Sequence, residues 1–387
     1  MGVTKIRTVA VRRWPDWVPV LAVVALVLSW GRTLPGAAVA VVAVFLAGAV
    51  LAAVHHAEVV AHRVGEPFGS LVLAVAVTVI EVALIVTLMV DGGPKGATLA
   101  RDTVFAAVMI TCNGIVGLSL LTAALRRRLA VFNAEGSGAA LATVATLATL
   151  SLVLPTFTTS RPGPEFSTGQ LAFAAVASLA LYALFVTMQT VRHREHFLPV
   201  THEREQVTGG REPAADPAET AEGPAETEED HAGVPSRSAA AASLALLVVS
   251  LVAVVGDAKA VSPTIESAVA SAGLPQAVVG IVIALLVLLP EALAAVRAAR
   301  RGRVQQSLNL ALGSAMASIG LTIPVIAVAT VWLDGPLVLG LTATHMVLLA
   351  LTVVTGALTV VPGRATLLQG GVHLSILAAF VFLAISP

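Results

Sequence analysis

The sequence contains few charged residues for its length. Only 12% of its 387 residues are Asp, Glu, Lys or Arg, whereas 57% are hydrophobic. Because soluble domains carry about 25% charged residues, a water-soluble fold of this size could not cover its surface with so few. We therefore predict a protein embedded in the lipid bilayer.

Other scarcities exclude further classes of protein. The single cysteine, Cys112, rules out an intramolecular disulfide and a cysteine-rich metal site, and its apolar surroundings predict a packed core residue. The net charge of zero gives no basic surface, so we expect no nucleic-acid partner. Because Walker A, GxSxG and HExxH motifs are absent, the sequence argues against a pump ATPase or a hydrolase, and we expect neither enzymatic activity nor a resident cofactor.

Long charge-free runs predict the transmembrane helices. A bilayer core accepts about 20 apolar residues as a helix, and the strand-like alternation of a membrane β-barrel does not occur. We predict an all-α integral membrane fold with eleven transmembrane helices. The runs are 17–31 (between Trp14 and Trp30), 33–57, 67–90 (interrupted by Glu81), 103–125, 136–160, 166–191, 238–256, 267–290, 304–333, 335–363 and 365–387.

The basic residues orient these helices. With the N-terminus inside, 18 Lys and Arg fall in cytoplasmic segments and 5 fall outside, as the positive-inside rule expects. This predicts a multi-pass protein of the cytoplasmic membrane with the N-terminus in the cytoplasm. The first helix, which follows four basic residues, is interpreted as uncleaved rather than as a signal peptide, because the next span follows almost at once.

An acidic segment divides the helices into two sets of five. Eleven of the 23 acidic residues lie between Glu195 and Asp230, in a stretch too polar to fold alone. An odd number of helices per half means that the halves enter the membrane from opposite sides, as in inverted-repeat transporters. The predicted parts are residues 1–34 (N-terminal segment and peripheral helix 1), 35–191 (first repeat), 192–237 (cytoplasmic linker) and 238–387 (second repeat).

Each half carries one glutamate in its second helix, Glu81 and Glu291. A charged side chain at the bilayer centre costs at least about 2.5–3.5 kcal/mol, so it normally faces a cavity, a partner or an ion. Two such carboxylates can hold protons or one divalent cation in turn, which is the chemical basis of proton-coupled cation exchange. Calcium suits them because it prefers oxygen ligands, and neutral oxygens are available at Thr78, Asn113, Asn309, Ser314 and Ser318.

These residues also admit structural interpretations. Each serine taken alone, Ser307 on the same stripe included, fits close helix packing better than ion ligation, and both asparagines equally fit hydrogen bonds between helices. Glu291 lies six residues before Arg297, which leaves open a structural ion pair near the cytoplasmic interface.

Histidines cluster at the predicted cytoplasmic end of helix 2. His55, Glu58 and His62 share a helix face, and this pattern fits cytoplasmic access for protons, a transition-metal site, or solvated groups at a helix end. His345 and His373 stand alone in their helices and are predicted to be core residues.

The stretches HHAEVVAHRVGEPFGSLVLAVAVTVIEVALIV and LPEALAAVRAARRGRVQQSLNLALGSAMASIGLTIP resemble the bacterial calcium/proton branch of the calcium:cation antiporter superfamily. The resemblance implies two inverted five-helix repeats plus a peripheral first helix. It also implies that Glu81 and Glu291 bind the cation and that Asn113 and Ser318 supply polar groups from the following helices, whereas Glu58 gives cytoplasmic access.

The sequence departs from this family in front of both acids. Many relatives have Gly-Asn four and three residues earlier, where this chain has Val77-Thr78 and Val287-Leu288. The thinner ligand set leaves open a sodium/proton or potassium/proton antiporter of the same fold. From another class, a cation channel is the alternative, although channels usually build pores from symmetric oligomers. The predicted partners are therefore calcium, protons and lipid; the oligomeric state, a homo-oligomer included, stays open.

Overall fold

The computed structural model describes residues 13–32, 34–65, 68–92, 97–198, 235–332 and 335–387. The predictions for the basic N-terminus and for most of the acidic linker lie outside these residues. Within them, the chain is almost entirely helical. Two short strands of two residues each, β1 (Ala130–Val131) and β2 (Arg364–Ala365), form an antiparallel pair. The predicted all-α membrane fold is confirmed.

The helices of the first half follow the predicted runs closely. The long central helix α4 contains a π-helical stretch at Ile110–Ile115, and α5 and α6 also end in irregular turns. The elements are α1 (Trp14–Ser29), α2 (Gly36–Val64), α3 (Phe68–Gly92), α4 (Leu99–Arg127), α5 (Ala134–Thr156) and α6 (Thr168–Arg192).

The second half contains a long first helix and a bent second one. The two segments of α8 meet at an angle of 53°. The elements are α7 (Arg237–Ser271), α8 (Ala277–Val287 and Leu289–Arg300), α9 (Val304–Ala329, interrupted at Leu321), α10 (Ala343–Val360) and α11 (Leu367–Ile385).

The predicted boundaries of helices 7 and 8 are wrong. Helix α7 does not end before Asp257 but continues through Asp257 and Lys259 to Ser271, and α8 begins at Ala277 instead of 267 and runs beyond 290 to Arg300. The prediction treated the charged residue Asp257 as the end of a membrane span. In the structure Asp257 is fully buried inside α7, and the helix continues past it. A helix can carry a charge without ending there when packing covers the side chain.

The count of eleven spans stays a prediction. Among the described residues, eight helices are long and apolar enough to cross a membrane, and the bent pair α8 makes a ninth. The other two predicted spans correspond to shorter apolar helices, Trp14–Ser29 and, within α3, Val75–Thr87. The protein is thus a multi-pass membrane protein.

Helix packing separates a peripheral layer from a central core. Helix α1 packs mainly on α2 and α7, which form the most extensive helix pair of the molecule. Helices α4 and α9 are the most buried of the long spans, and α3, α8 and α11 contact α4 or its π-helical stretch. The core therefore forms around the helices that follow the two glutamate-bearing ones.

Glycines allow the closest approach of α4 and α11. A Cβ on Gly370 would lie 2.7 Å from the backbone nitrogen of Leu121, and a Cβ on Gly117 would lie 3.1 Å from the carbonyl oxygen of Gly370. Small residues at such contacts let helix backbones approach in membranes. Gly371, the next residue along the chain, has nothing within 4 Å of an added Cβ.

We predict that Gly370→Ala destabilises the protein, whereas Gly371→Ala does not. Overpacking at Gly370 should cost about 1–3 kcal/mol because backbone atoms, which cannot rotate away, meet the new methyl group. The measurement is the thermal midpoint of purified protein in detergent, with Gly371→Ala as the matched control. Equal midpoints for the two variants would contradict the helix contact.

Candidate cation-binding site

A cavity of about 200 Å³ lies among five helices from both halves of the chain. Its walls come from α2, α3 and α6 on one side and from α8 and α9 on the other. Both predicted glutamates, Glu81 and Glu291, line it. The other polar lining residues are Glu58, Thr78, Tyr182, Gln189, Asn309, Ser314 and Ser318.

Glu81 enters the cavity from the middle of α3 and is only 3% exposed. Its Oε2 accepts a hydrogen bond of 2.8 Å from the Ser318 hydroxyl of α9. Its other oxygen, Oε1, is buried and has no hydrogen-bond partner among the described residues. A buried carboxylate oxygen without a donor is costly unless a proton or a cation occupies it.

Glu291 enters from the bend in α8. Pro290 is the second residue of the second segment of this helix, where a missing N–H costs nothing, and Glu291 falls in its first turn. The positive end of the helix dipole favours a carboxylate at this place. Its Oε2 is buried without a hydrogen-bond partner in the described part of the chain.

The structure contradicts the ion-pair interpretation of Glu291. Among the described residues, no salt bridge reaches its carboxylate. The positive charge of Arg297 acts instead on Glu58 of α2, which is exposed and also lines the cavity. Glu58 therefore marks an opening of the cavity, on the side where Arg297 lies.

The histidines predicted beside Glu58 do not line the cavity. His55 and His62 are exposed, and the interpretation of His55, Glu58 and His62 as a transition-metal site is wrong, because they do not converge as a group of metal ligands. His56, which the sequence analysis passed over, is buried and bonds through Nε2 to the Pro15 carbonyl at 3.0 Å. It fastens α1 to α2.

The neutral oxygens divide into two groups. Thr78, Ser314 and Ser318 line the cavity. Asn309 also borders it, but its amide is engaged: the nitrogen donates to the Phe197 carbonyl at 2.7 Å, and the oxygen accepts from Gln305 at 2.8 Å. Asn309 therefore acts in the structure as an interhelical hydrogen-bond partner at the cavity wall.

The structure places Asn113 away from the cavity. It lies in the π-helical stretch of α4, donates to Thr352 at 2.9 Å and is 3.2 Å from Nδ1 of His373. His373 is also paired with Thr359 at 3.1 Å, as expected of a core histidine. Ser307 likewise points elsewhere and donates to Ser119 at 2.6 Å.

Sequence reasoning missed two polar cavity residues on α6, Tyr182 and Gln189. Tyr182 is the only tyrosine of the chain, and a lone Tyr inside an apolar run was the available signal, since a buried hydroxyl needs a partner. It also missed Asp257, a fully buried carboxylate that does not line the cavity and whose two oxygens have no hydrogen-bond partner in the described residues.

Two glycines of α9 differ in how closely their surroundings approach. A Cβ on Gly320 would lie 2.7 Å from the Cβ of Tyr182, so α9 and α6 touch there. Gly313 has nothing within 4 Å of an added Cβ and lines the cavity. Helix α9 thus packs directly against α6 at Gly320, whereas Gly313 borders open space in the cavity.

The sequence profile of the family described as sodium/calcium exchanger protein matches residues 34–191 and again 242–386. The chain belongs to this family. It is therefore a membrane cation exchanger, as the resemblance to the calcium:cation antiporter superfamily implied, in a family of transporters rather than of enzymes in the usual sense. The same profile matches on both sides of the acidic linker, each time over a stretch that contains one of the two glutamates.

Two curated relatives span nearly the whole chain. The chain is 44% identical to the putative ionic transporter y4hA of Sinorhizobium fredii (strain NBRC 101917 / NGR234), over 99% of both chains. It is 34% identical to the sodium-potassium/proton antiporter ChaA of Escherichia coli (strain K12), over 94% of this chain and 93% of that one.

Solved structures share the fold. The native structure of YfkE superposes with a TM-score of 0.67 at 13% identity, over 97% of this chain and 99% of that one. The H+/Ca2+ exchanger CAX gives a TM-score of 0.67 at 14% identity, over 98% and 92%. At such identities the comparison concerns the fold alone.

We predict that Ser318→Ala weakens cation binding without unfolding the protein. A hydrogen bond to a charged group contributes about 1.5–3 kcal/mol, and its loss makes the ionised form of Glu81 less favourable. The half-maximal cation concentration for exchange in membrane vesicles should rise about tenfold. Ser250→Ala is the matched control, because this buried serine donates only to Leu246 of its own helix; equal effects of both variants would contradict the assignment.

Proposed function

We propose that the protein is a proton-coupled cation antiporter that exports calcium in exchange for protons by alternating access. One observation carries the proposal: Glu81 and Glu291, one from each half of the chain, line the same cavity, and each has a buried oxygen without a hydrogen-bond partner among the described residues. The site needs a positive charge, and either a cation or protons supply it.

Charge balance makes these two occupants mutually exclusive. Two ionised carboxylates in a low-dielectric cavity are neutralised by one divalent cation or by two protons. Since burial disfavours the charged form of a carboxylate, protons bind when the cation leaves, and a cation binds when the protons leave. No further protein charge is needed for the exchange.

The chemistry of the lining suits a hard cation. The cavity offers carboxylate oxygens from Glu81 and Glu291 and hydroxyl oxygens from Ser314, Ser318 and Thr78. Calcium takes six to eight oxygen ligands with flexible geometry. Waters in a cavity of about 200 Å³ complete such a shell.

The proposed transport cycle exposes the site to each side of the membrane in turn. With the site open outward, calcium leaves and protons bind Glu81 and Glu291. The two halves then rearrange, the protons leave to the cytoplasm past Glu58, and calcium binds from there. In this scheme the protein lies in the cytoplasmic membrane with its N-terminus inside, and the inward proton gradient drives calcium out.

We expect Glu81→Gln and Glu291→Gln each to abolish cation-dependent proton movement in everted vesicles. An amide keeps the shape of the side chain but can neither carry the negative charge nor exchange the proton. Glu165→Gln is the control, because this carboxylate lies outside the cavity beside Arg161, at 3.7 Å. If both cavity variants keep wild-type exchange, the site assignment is wrong.

Sodium or potassium is the second candidate cation. The relative at 34% identity is a sodium-potassium/proton antiporter by name, and Val77 and Leu288 add no side-chain oxygen near the two acids. A monovalent ion leaves one negative charge at the pair, so one carboxylate would keep its proton.

Ion substitution distinguishes the two candidates. We expect proton release from acid-loaded everted vesicles, followed by dye fluorescence, to respond to calcium. Sodium and potassium are added in separate runs at the same concentration, and vesicles with Glu81→Gln give the background. A response to sodium or potassium with none to calcium would replace calcium as the substrate while keeping the site.

A further inference from the structure

A second group of ligand-type side chains lies at the end of α6. The chain leaves this helix at Arg192 and forms a short turn at Arg194–Phe197. In this turn the ligand atoms of His193, Glu195 and His196 all lie within 4.8 Å of one another. In the described ranges, no other three His, Cys, Asp or Glu residues come so close together.

The surroundings add a fourth donor. The carboxylate of Glu135, at the start of α5, lies 3.3 Å from Nε2 of His196. The imidazole rings of His193 and His196 stack with centroids 5.3 Å apart. Two imidazoles and two carboxylates give a mixed nitrogen and oxygen set, which suits zinc and related transition metals, whereas calcium prefers oxygen alone.

The backbone of the turn is held in place on two sides. The Phe197 carbonyl accepts from Asn309 of α9 at 2.7 Å, and the Phe197 ring packs edge-on against Phe185 at 5.6 Å. On the other side the His196 carbonyl lies against Gly136 of α5, so closely that a side chain at 136 would collide with it. Ligands carried by such a fixed turn are positioned before any metal binds.

We propose that His193, Glu195 and His196, with Glu135 as the fourth donor, bind one divalent transition-metal ion of the zinc class. The site is separate from the transport cavity, since none of its ligands lines that cavity. Asn309 connects the metal-binding turn to the transport cavity, because it lines the cavity and donates a hydrogen bond to the Phe197 carbonyl of the turn. A bound metal therefore fixes the point where the chain leaves α6 toward the linker.

The test is a metal titration of the full-length protein in detergent. The protein carries Glu81→Gln and Glu291→Gln, so that the transport cavity does not contribute, and its affinity tag contains no histidine. Zn2+ is titrated by calorimetry, and Co2+ by its visible absorption. We expect one ion per chain.

Three double variants, one of them a control, test the ligands. His193→Ala with His196→Ala should weaken Zn2+ binding at least about tenfold, whereas His55→Ala with His62→Ala, which removes two exposed histidines elsewhere, should leave it unchanged. His193→Asn with His196→Asn repeats the ligand test with polar side chains, and metal-free melting confirms that each variant is folded. No saturable binding, or equal binding to both histidine-to-alanine double variants, would overturn the proposal.

Discussion

The constraint on which this structure depends is the presence of the two cavity carboxylates, Glu81 and Glu291, among membrane-spanning helices. Each costs at least about 2.5–3.5 kcal/mol at membrane depth, and the protein compensates only part of this cost. Ser318 supplies one hydrogen bond to Glu81, and the first turn of a helix segment supplies a favourable dipole to Glu291. Each carboxylate keeps one buried oxygen without a hydrogen-bond partner among the described residues, and both side chains line a cavity; under the proposed function, a positively charged occupant offsets the remaining cost.

The irregular backbone of the second half follows from the same constraint. In a straight α8, Glu291 would lie in the middle of the helix. Because the helix bends by 53° at Leu288, Glu291 lies in the first turn of the second segment, directly after Pro290. Helix α9 is interrupted at Leu321, three residues after Ser318. Broken helices are tolerated at membrane depth where protein or a cavity, rather than lipid, surrounds the freed backbone groups.

The sequence predicted the fold class and the meeting of Glu81 with Glu291, because isolated charges in apolar runs rarely have another explanation. Of the neutral donors it named, Thr78, Ser314 and Ser318 line the same cavity, whereas Asn113 does not. Asn113 lies in the π-helical stretch of α4 and not at the cavity. Its amide bonds Thr352 of α10 and His373 of α11. Tyr182 and Gln189 reach the cavity through the contact of α6 with α9, and such a tertiary contact leaves no periodic signal in one sequence. The ends of α7 and α8 were misplaced because Asp257, although charged, lies inside a helix.

The use of asparagine in this chain bears on how the cavity selects its ion. Two of the three asparagines, Asn113 and Asn309, lie in membrane helices. Their side-chain amides donate hydrogen bonds to another helix and to the turn after α6, respectively. Under the proposed function, an ion in the cavity therefore meets carboxylates, hydroxyls and the amide of Gln189, and water supplies the rest of its shell. Hydroxyl groups adapt to ions of different radius, so a shell of this kind discriminates mainly by charge. Under the proposed function, one carboxylate with its proton would accept a monovalent ion and two ionised carboxylates a divalent one, which places selectivity in the protonation state of Glu81 and Glu291.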